Sequence, residues 1–266
     1  MRTRLVRSFT TAAVLAAGLF LIPAPAASQG LGGRGGNAAD ADAPPAPSLP
    51  DGRPDLSGLW NGGGGIGRLA PGEEIVMTAW AQEIFDYRQD PDGNAANEDP
   101  NLYCLPSGVP RMSPYPWRML QTPTHGPETH IFILFEGNIH SYRQIFMDGR
   151  DHPEDPDPTW FGHSIGRWEG DTLVVDSLGF NEEFWFSFQG HPHSEQLHTI
   201  ERFTRTNLNT LQWDITIDDP MAYEKPFTAT SQARLMPGAD ILEYICQENN
   251  TSEGRLRGRA IGPGGN

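Results

Sequence analysis

The segment 191–202 holds the densest group of chemically capable side chains in this 266-residue chain. It contains His191, His193 and His198, together with two glutamates, one of which is Glu201. Histidine is the most common metal ligand and the side chain that ordinarily titrates near neutral pH. The segment therefore predicts a metal site or an acid–base site, with a structural polar hinge as the alternative.

A second group of polar and aromatic residues lies between positions 148 and 163. Neutral imidazole nitrogens of His163, His193 and His198 could hold zinc or copper, with a carboxylate completing the metal's ligand shell. Without a metal, His152 or His193 could act as the acid or base while Glu201 orients it. Histidines beside Pro and Gly also commonly cap turns, so a structural role for the whole group stays open.

Strand geometry sets a condition on the role of Glu201. On a regular strand His198 and Glu201 point to opposite faces, because an odd number of positions separates them. A bulge at the start of the strand would bring them together. Without a bulge, we expect Glu201 to pair with an arginine, the candidates being Arg143, Arg167 and Arg202.

The elements that position these residues are mainly strands joined by compact turns of Gly, Asn and Asp. The pattern predicts eight strands, over residues 130–135, 139–147, 163–168, 172–177, 197–205, 211–217, 227–236 and 241–246. A helix is predicted over 78–88, followed by a long irregular wrap over 90–129. The predicted fold is all-β, an eight-stranded antiparallel up-and-down meander closed into a barrel like that of the lipocalins. A curved open sheet is the alternative.

In such a meander the long connections 148–162, 178–196 and 218–226 all lie at one end of the barrel. This arrangement brings seven of the eight histidines to one rim and leaves His140 at the other end. The mouth of a small barrel is the default ligand site. Aromatic and polar side chains of these loops are predicted to line it, namely Arg150, Trp160, Trp185, Phe186 and Tyr223.

The N-terminal region has the pattern of an export signal. Arg2, Arg4 and Arg7 precede a short apolar run and small residues, so 1–28 is predicted to be a cleaved signal peptide. Composition predicts a disordered Gly/Ala/Pro linker over 29–50, one β domain over 51–250 and a flexible tail over 251–266. The protein is therefore expected to be periplasmic or secreted, without membrane insertion.

Charge and cysteine content limit the partners and the compartment. The formal net charge is −15, and it becomes −18 once the three arginines of the signal are removed. An acidic protein lacks the counter-charge for phosphate backbones, which argues against nucleic acid. Cys104 and Cys246 are the chain's two cysteines. In an oxidising compartment they are expected to form a disulfide that stabilises the domain by roughly 2–5 kcal/mol.

Several motifs resemble those of a widespread family of secreted bacterial proteins of unknown function. They are PDLSGLW at 54–60, CLPSG at 104–108, DGR at 148–150, GRWEGDTLVV at 166–175, PHS at 192–194, LH at 197–198, ER at 201–202 and DDP at 218–220. The resemblance covers about residues 54–250 and implies no established activity. The triplet Gly58-Leu59-Trp60 also resembles the first-strand signature of lipocalins.

Together these observations predict a small-molecule or saccharide site at the long-loop rim. Its chemistry would be hydrolytic or lyase-like, through histidine acid–base or metal-assisted catalysis. The competing interpretation is a lipocalin-like carrier without enzymatic activity, in which aromatic side chains line an apolar pocket and the histidines are structural.

Overall fold

The structure is a computed structural model, and it describes residues 43–90, 98–111, 115–122, 128–137, 141–246 and 248. The predicted signal peptide, most of the predicted linker, the predicted tail and the histidines at positions 125 and 140 lie outside these residues. Every statement of structure below refers to the described part of the chain.

One α-helix, α1, runs over Ala79–Gln89, which confirms the predicted helix to within a residue. The Thr78 side chain caps its first turn by accepting a hydrogen bond from the Ala81 backbone N–H. Such a cap satisfies one of the N–H groups that a helix leaves unpaired at its start. Ala81 is fully buried, and Trp80 packs against the same apolar cluster, so the helix lies on the barrel through this first turn.

Ten strands form the sheet, and nine of them close a barrel. In chain order they are β1 (Gly58–Gly62), β2 (Arg68–Leu69), β3 (Trp117–Gln121), β4 (His130–Phe135), β5 (Tyr142–Phe146), β6 (His163–Glu169), β7 (Thr172–Leu178), β8 (His198–Asn207), β9 (Thr210–Asp218) and β10 (Phe227–Leu235). Strands β3 to β10 follow one another around the wall, and β1 closes the ring between β10 and β3. The short β2 pairs with β10 alone. The prediction of an all-β barrel is confirmed.

Closure differs from the predicted meander at one point. The predicted strand over 241–246 is wrong, because β1 occupies the place beside β10, with Trp60 opposite Leu235. Residues 241–246 run outside the sheet instead, and Cys246 is joined to Cys104 by the predicted disulfide. Strand β3 lies within the segment that composition predicts as irregular, because its Pro- and Gly-rich flanks dilute the alternation of its five residues.

The junction between β5 and β6 is parallel, whereas all the other strand pairs are antiparallel. Only Ile145 and Phe146 of β5 take part in it, opposite Ser164 and Ile165. Parallel neighbours cannot be joined by a tight hairpin, so residues 148–162 form a long connection between the two strands. The predicted rule that alternate connections share one end therefore fails at this junction.

Large apolar side chains fill most of the barrel interior. Inward and outward positions alternate along the strands, as in β4, where Ile131, Ile133 and Phe135 are buried. The bulk of the interior comes from aromatic rings that are almost completely buried, namely Trp60, Trp117, Phe203 and Trp213. The barrel is therefore built around a packed core.

A polar layer crosses the interior beside this apolar core. Arg143 of β5 forms two charge-assisted hydrogen bonds to the carboxylate of Glu201 on β8, and the Nη1–Oε1 distance is 3.0 Å. Arg143 also donates to Ser177 at 2.9 Å and to Ser164 at 3.2 Å. The hydroxyl of Ser177 donates to Ser164 at 2.8 Å, and both serines are fully buried. This layer joins four successive strands.

A second apolar cluster covers one end of the barrel. Phe180, Phe184 and Phe186 of the β7–β8 connection are buried in it, together with Ile217 of β9 and Phe227 of β10. The aromatic-rich loop thus folds down and completes the core.

The N-terminal segment is ordered from before the predicted domain boundary at residue 51. The Pro44 carbonyl accepts a hydrogen bond from the Leu208 N–H, and the Pro47 carbonyl accepts one from the Asp55 N–H. The end of the predicted linker therefore packs beside the β8–β9 turn. No helix within the described part of the chain is long and apolar enough to span a bilayer.

Replacing Glu201 with Ala is expected to lower the free energy of unfolding by about 3–5 kcal/mol, because Arg143 would remain buried without its counter-charge. Urea unfolding followed by circular dichroism measures this change. The matched control is Glu169→Ala, since Glu169 forms an exposed pair with Arg202, and its midpoint should stay near that of the wild type. Equal midpoints for Glu201→Ala and the wild type would contradict the importance of the ion pair.

Candidate acid–base site

Three neighbouring strands each contribute one member to a group of ionisable side chains on the outer wall of the barrel. His163 of β6, Asp176 of β7 and His198 of β8 point outward, because the next residue on each strand is a fully buried serine or threonine. In the strand register Asp176 pairs with Ile165 on one side and Ile200 on the other. The two histidines are therefore its diagonal neighbours, two positions away on either side.

The carboxylate of Asp176 is shared by two imidazoles. Its Oδ1 atom lies 2.7 Å from Nε2 of His198 and 3.3 Å from Nε2 of His152. His152 belongs to the long β5–β6 connection, which brings it over the wall beside β6 and β7. An ionised carboxylate can only accept hydrogen bonds, so each histidine donates from Nε2.

A second imidazole contact extends this arrangement. Nδ1 of His152 lies 2.8 Å from Nδ1 of His163, and the two rings meet edge to face. Because His152 donates from Nε2 to Asp176, its Nδ1 atom accepts and the His163 Nδ1–H donates. We call His152, His163, Asp176 and His198 the His–Asp cluster. Its tautomers place a basic nitrogen at each end, Nδ1 of His198 and Nε2 of His163.

The surroundings of His163 favour its neutral form. Partial burial lowers the pKa of His163, and the neighbouring His152 and the positive charge of Arg150 lower it further. Arg150 lies 3.9 Å above the ring of Phe146, and that ring stacks on His163. Arg150 is also paired with Asp148, whose pKa falls to about 2 mainly because of that hydrogen bond. The predicted binding residue Arg150 thus borders the cluster.

The structure separates His193 from the cluster. Its ring is almost completely buried and packs against Phe184 and Phe186 in the second apolar cluster. Its nitrogens face two backbone carbonyls, Nε2 that of Phe184 at 2.9 Å and Nδ1 that of Ser194 at 3.2 Å. The predicted metal set of His163, His193 and His198 therefore does not converge, because His193 belongs to the core.

Burial dominates the titration of the two histidines in this core. Desolvation lowers the pKa of His193 to about 4, although both carbonyls favour the protonated ring. Burial alone lowers the pKa of His191 to about 4, and the His191 Nδ1 atom lies 2.6 Å from the hydroxyl of Ser187. Both imidazoles are therefore neutral at pH 7, which suits a structural role.

The predicted acid–base partnership of Glu201 with His152 or His193 does not form. Strand β8 is regular at its start, and its one register irregularity lies at the far end, between Arg205 and Asn207. Glu201 therefore points into the barrel, where it binds Arg143, while His198 points outward. This outcome confirms the alternative in which Glu201 pairs with an arginine.

Three of the predicted ligand-binding aromatic residues are core residues. Trp185 and Phe186 are buried, and the buried hydroxyl of Tyr223 donates to the Pro192 carbonyl at 2.7 Å. Trp160 is half-buried and packs against Phe184. The loop aromatics thus close the barrel end, and the polar cluster lies outside them.

Asp176 is the member of the cluster that sequence reasoning missed. The signal was present in the β6–β7 hairpin, whose turn at Gly170 places Glu169 opposite Thr172. Counting back along that register puts Asp176 diagonally beside His163 on the same face. A carboxylate directly after the apolar run 173–175 was the visible cue.

Each end of the cluster can take up a proton. A carboxylate that accepts from an imidazole fixes the tautomer and stabilises the positive charge that develops when the ring takes up a proton. Here one carboxylate serves His198 directly and His163 through His152. The site therefore combines two basic nitrogens with one shared negative charge.

Acid is expected to destabilise the fold through His191 and His193. Their pKa values of about 4 lie below the ordinary value of 6.5, so between these pH values the unfolded chain binds more protons. The contribution of these two rings to the free energy of unfolding is therefore fully present above pH 6.5. It is lost as the pH falls towards 4, by up to about 3 kcal/mol for each ring. Melting temperatures from pH 8 to 4 should show this slope.

The variant His193→Gln isolates one of these contributions. It should melt at a lower temperature than the wild type at pH 8, and its melting temperature should fall less steeply between pH 6.5 and 4. Identical slopes in the two proteins would contradict the assignment of His193.

Zinc or copper binding stays a prediction. Within the described ranges no three His, Cys, Asp or Glu side chains are grouped in a way that could hold a metal ion. Mass spectrometry of untagged protein purified without chelator measures the bound metal. Less than about a tenth of an equivalent of zinc or copper would contradict the metal-assisted alternative.

Comparisons with protein-family models, with curated proteins and with solved structures found no match to this chain. The resemblance to a family of secreted proteins remains an expectation, and the candidate site is defined by its geometry.

Proposed function

We propose that the protein is an acid–base enzyme that acts on a neutral small molecule or saccharide at the His–Asp cluster. The observation that carries the proposal is the carboxylate of Asp176 shared between His198 and His152, with His163 hydrogen-bonded behind His152. A histidine that only adds polar surface does not require such a series of hydrogen bonds. Proton transfer by positioned side chains contributes about 10²–10⁴-fold to catalytic rates.

His198 is the better placed of the two bases. Its side chain is 36% exposed, so Nδ1 can reach a proton on a bound substrate or a water molecule. The carboxylate of Asp176 holds the ring in the required tautomer and stabilises the imidazolium that forms. His198 therefore acts as the general base in this proposal, and Asp176 is its positioning residue.

His163, which is hydrogen-bonded to His152, serves as the proton donor. A proton arriving at Nε2 of His163 increases the charge on that ring, and the Nδ1 proton can pass to His152 and be stabilised by Asp176. The lowered pKa of His163 makes the protonated ring a stronger acid than a free histidine. Once solvent has protonated Nε2 of His163, that end can deliver its proton to a leaving group while Nδ1 of His198 accepts one, as hydrolysis or elimination requires.

The overall charge favours a neutral substrate. With a formal net charge of −15, the protein repels anions at long range, and the nearby Arg150 is already paired with Asp148. The alternative of an apolar ligand carried inside the barrel is less favourable, because aromatic side chains such as Trp60 and Trp213 occupy the interior. Export to the periplasm or beyond is consistent with the disulfide and stays part of the proposal.

The experiment compares wild type with Asp176→Asn on a panel of neutral glycosides, neutral polysaccharides and methyl-esterified polygalacturonate. New reducing ends report hydrolysis, and absorbance of a conjugated double bond reports elimination. Asp176→Asn should lower kcat/KM by about 10²–10⁴-fold, since the amide can donate to His198 and no longer stabilises its positive charge. The fold should persist, because Asp176 lies on the outer wall.

The control is Asp214→Asn, because Asp214 also faces outward, on β9, and accepts a hydrogen bond from Gln212. Its rate should equal that of the wild type. Turnover that is equal in wild type and Asp176→Asn, or that is absent across the whole panel, overturns the proposed function.

A further inference from the structure

The outer wall of the barrel has two different surfaces. On β8, β9 and β10 the outward side chains are mostly polar. Thr204 of β8 is bonded to Thr172 of the neighbouring β7, and Thr216 of β9 is bonded to Thr228 of β10. On β3, β4 and β5 most outward positions carry large apolar or aromatic side chains, and the exceptions are Arg118 and Gln144. The apolar and aromatic ones are Leu120, His130, Phe132, Leu134, Tyr142 and Phe146.

The aromatic rings on this second surface form a continuous series of contacts. Tyr142 meets Phe132 edge to face at 6.0 Å between ring centroids, and Phe132 lies 5.6 Å from His130. His130 then lies 5.3 Å from Phe146, whose ring stacks on His163 at 5.0 Å. We call Tyr142, Phe132, His130 and Phe146 the aromatic stripe. It leads directly to the His–Asp cluster.

Polar groups accompany the rings. Gln144 faces outward on β5 and pairs with Phe132 in the strand register. Its side-chain amide has no hydrogen-bond partner within the described part of the chain. Nδ1 of His130 lies 2.9 Å from the hydroxyl of Thr129 and either accepts a hydrogen bond from it or donates one to it. Nε2 of His130 is then available to bond a ligand. An amide and an imidazole beside aromatic rings offer donors and acceptors for hydroxyl groups.

The outer wall of β3–β5 exposes apolar side chains. Tyr142 of the stripe is 59% exposed, and Leu120, which pairs with Phe132 in the strand register, is 36% exposed. Antiparallel sheets commonly place polar side chains on such a face. Exposed apolar surface rimmed by polar groups marks an interaction site. The proximity of a proton-transfer cluster at one end makes a substrate the fitting occupant.

We propose that the aromatic stripe binds a neutral oligosaccharide chain whose reacting unit lies at the His–Asp cluster. The C–H faces of sugar rings pack on aromatic rings, while their hydroxyl groups bond to amide and imidazole groups such as Gln144 and His130. The inference rests on the proposed function and adds to it a substrate class, a chain of several sugar units. The acidic protein disfavours uronate chains of the same length.

Binding is measured by titration calorimetry with cellohexaose and xylohexaose as neutral probes and with hexagalacturonate as the anionic comparison. Tyr142→Ala should weaken binding of a neutral probe about three- to tenfold, which is the range expected for loss of one stacking contact. Gln144→Ala should weaken it as well. The control is Gln212→Ala on the polar outer wall of β9, which should bind as the wild type does.

Thermal unfolding checks that the exposed Tyr142 can be removed without loss of the fold. A neutral probe that binds Tyr142→Ala and wild type equally, or that binds neither, overturns the inference. Wild type that dimerises in sedimentation analysis while Tyr142→Ala stays monomeric also overturns it, in favour of a second copy on the stripe. Turnover separates the two proposals. Loss of activity in Asp176→Asn supports the acid–base function, whereas unchanged sugar affinity in Tyr142→Ala contradicts binding on the aromatic stripe.

Discussion

The buried ion pair between Arg143 and Glu201 is the interaction on which the rest of the architecture depends. Desolvation of two charges is costly, and the cost is offset only where the geometry is good and the remaining donors are satisfied. Here the guanidinium has both carboxylate oxygens and two serine hydroxyls as partners. Because side chains alternate along a strand, a slip of one residue in β5 or β8 would turn Arg143 or Glu201 towards solvent. The pair therefore favours one register for β5 to β8, and β6, β7 and β8 carry His163, Asp176 and His198 on their other face.

Most of the fold could be predicted from the sequence, and the reasons for the exceptions are physical. Hairpin turns such as Gly170 and the alternation of β9 are local signals, so seven of the eight predicted strands are present in the structure. Strands β1 and β3 were not predicted because they are five residues long and lie among Gly and Pro residues. The pairing of β1 with β10 joins residues far apart in the chain, and no local pattern reports such a contact. The predicted strand at 241–246 shows the reverse error, in which an apolar run has no free strand edge to join.

The sequence singled out the three histidines of the cluster, but it did not reveal Asp176, which joins them. Strand parity correctly separated His198 from Glu201. His152 does lie against His163, but the alternation rule that placed both at one rim fails at the β5–β6 junction. Parity could not identify His193 as a core residue, because its segment has no regular period and its burial depends on Phe184 and Phe186 folding over the barrel end. Asp176 was overlooked because it lies on a strand, away from the histidine-rich loops. Its partners are set by the register of three strands, which is a property of the sheet.

The parallel junction between β5 and β6 follows from simple counting. A closed ring of strands can alternate in direction all the way round only if their number is even, and this ring has nine. At least one pair of neighbouring strands must therefore run parallel. In this chain the parallel junction consists of two residue pairs between β5 and β6, and a long connection joins the two strands. That connection places His152 beside Asp176. The defect that parity forces on the barrel is thus the place where a loop gains access to the wall, and where new chemistry can be added without disturbing a hairpin.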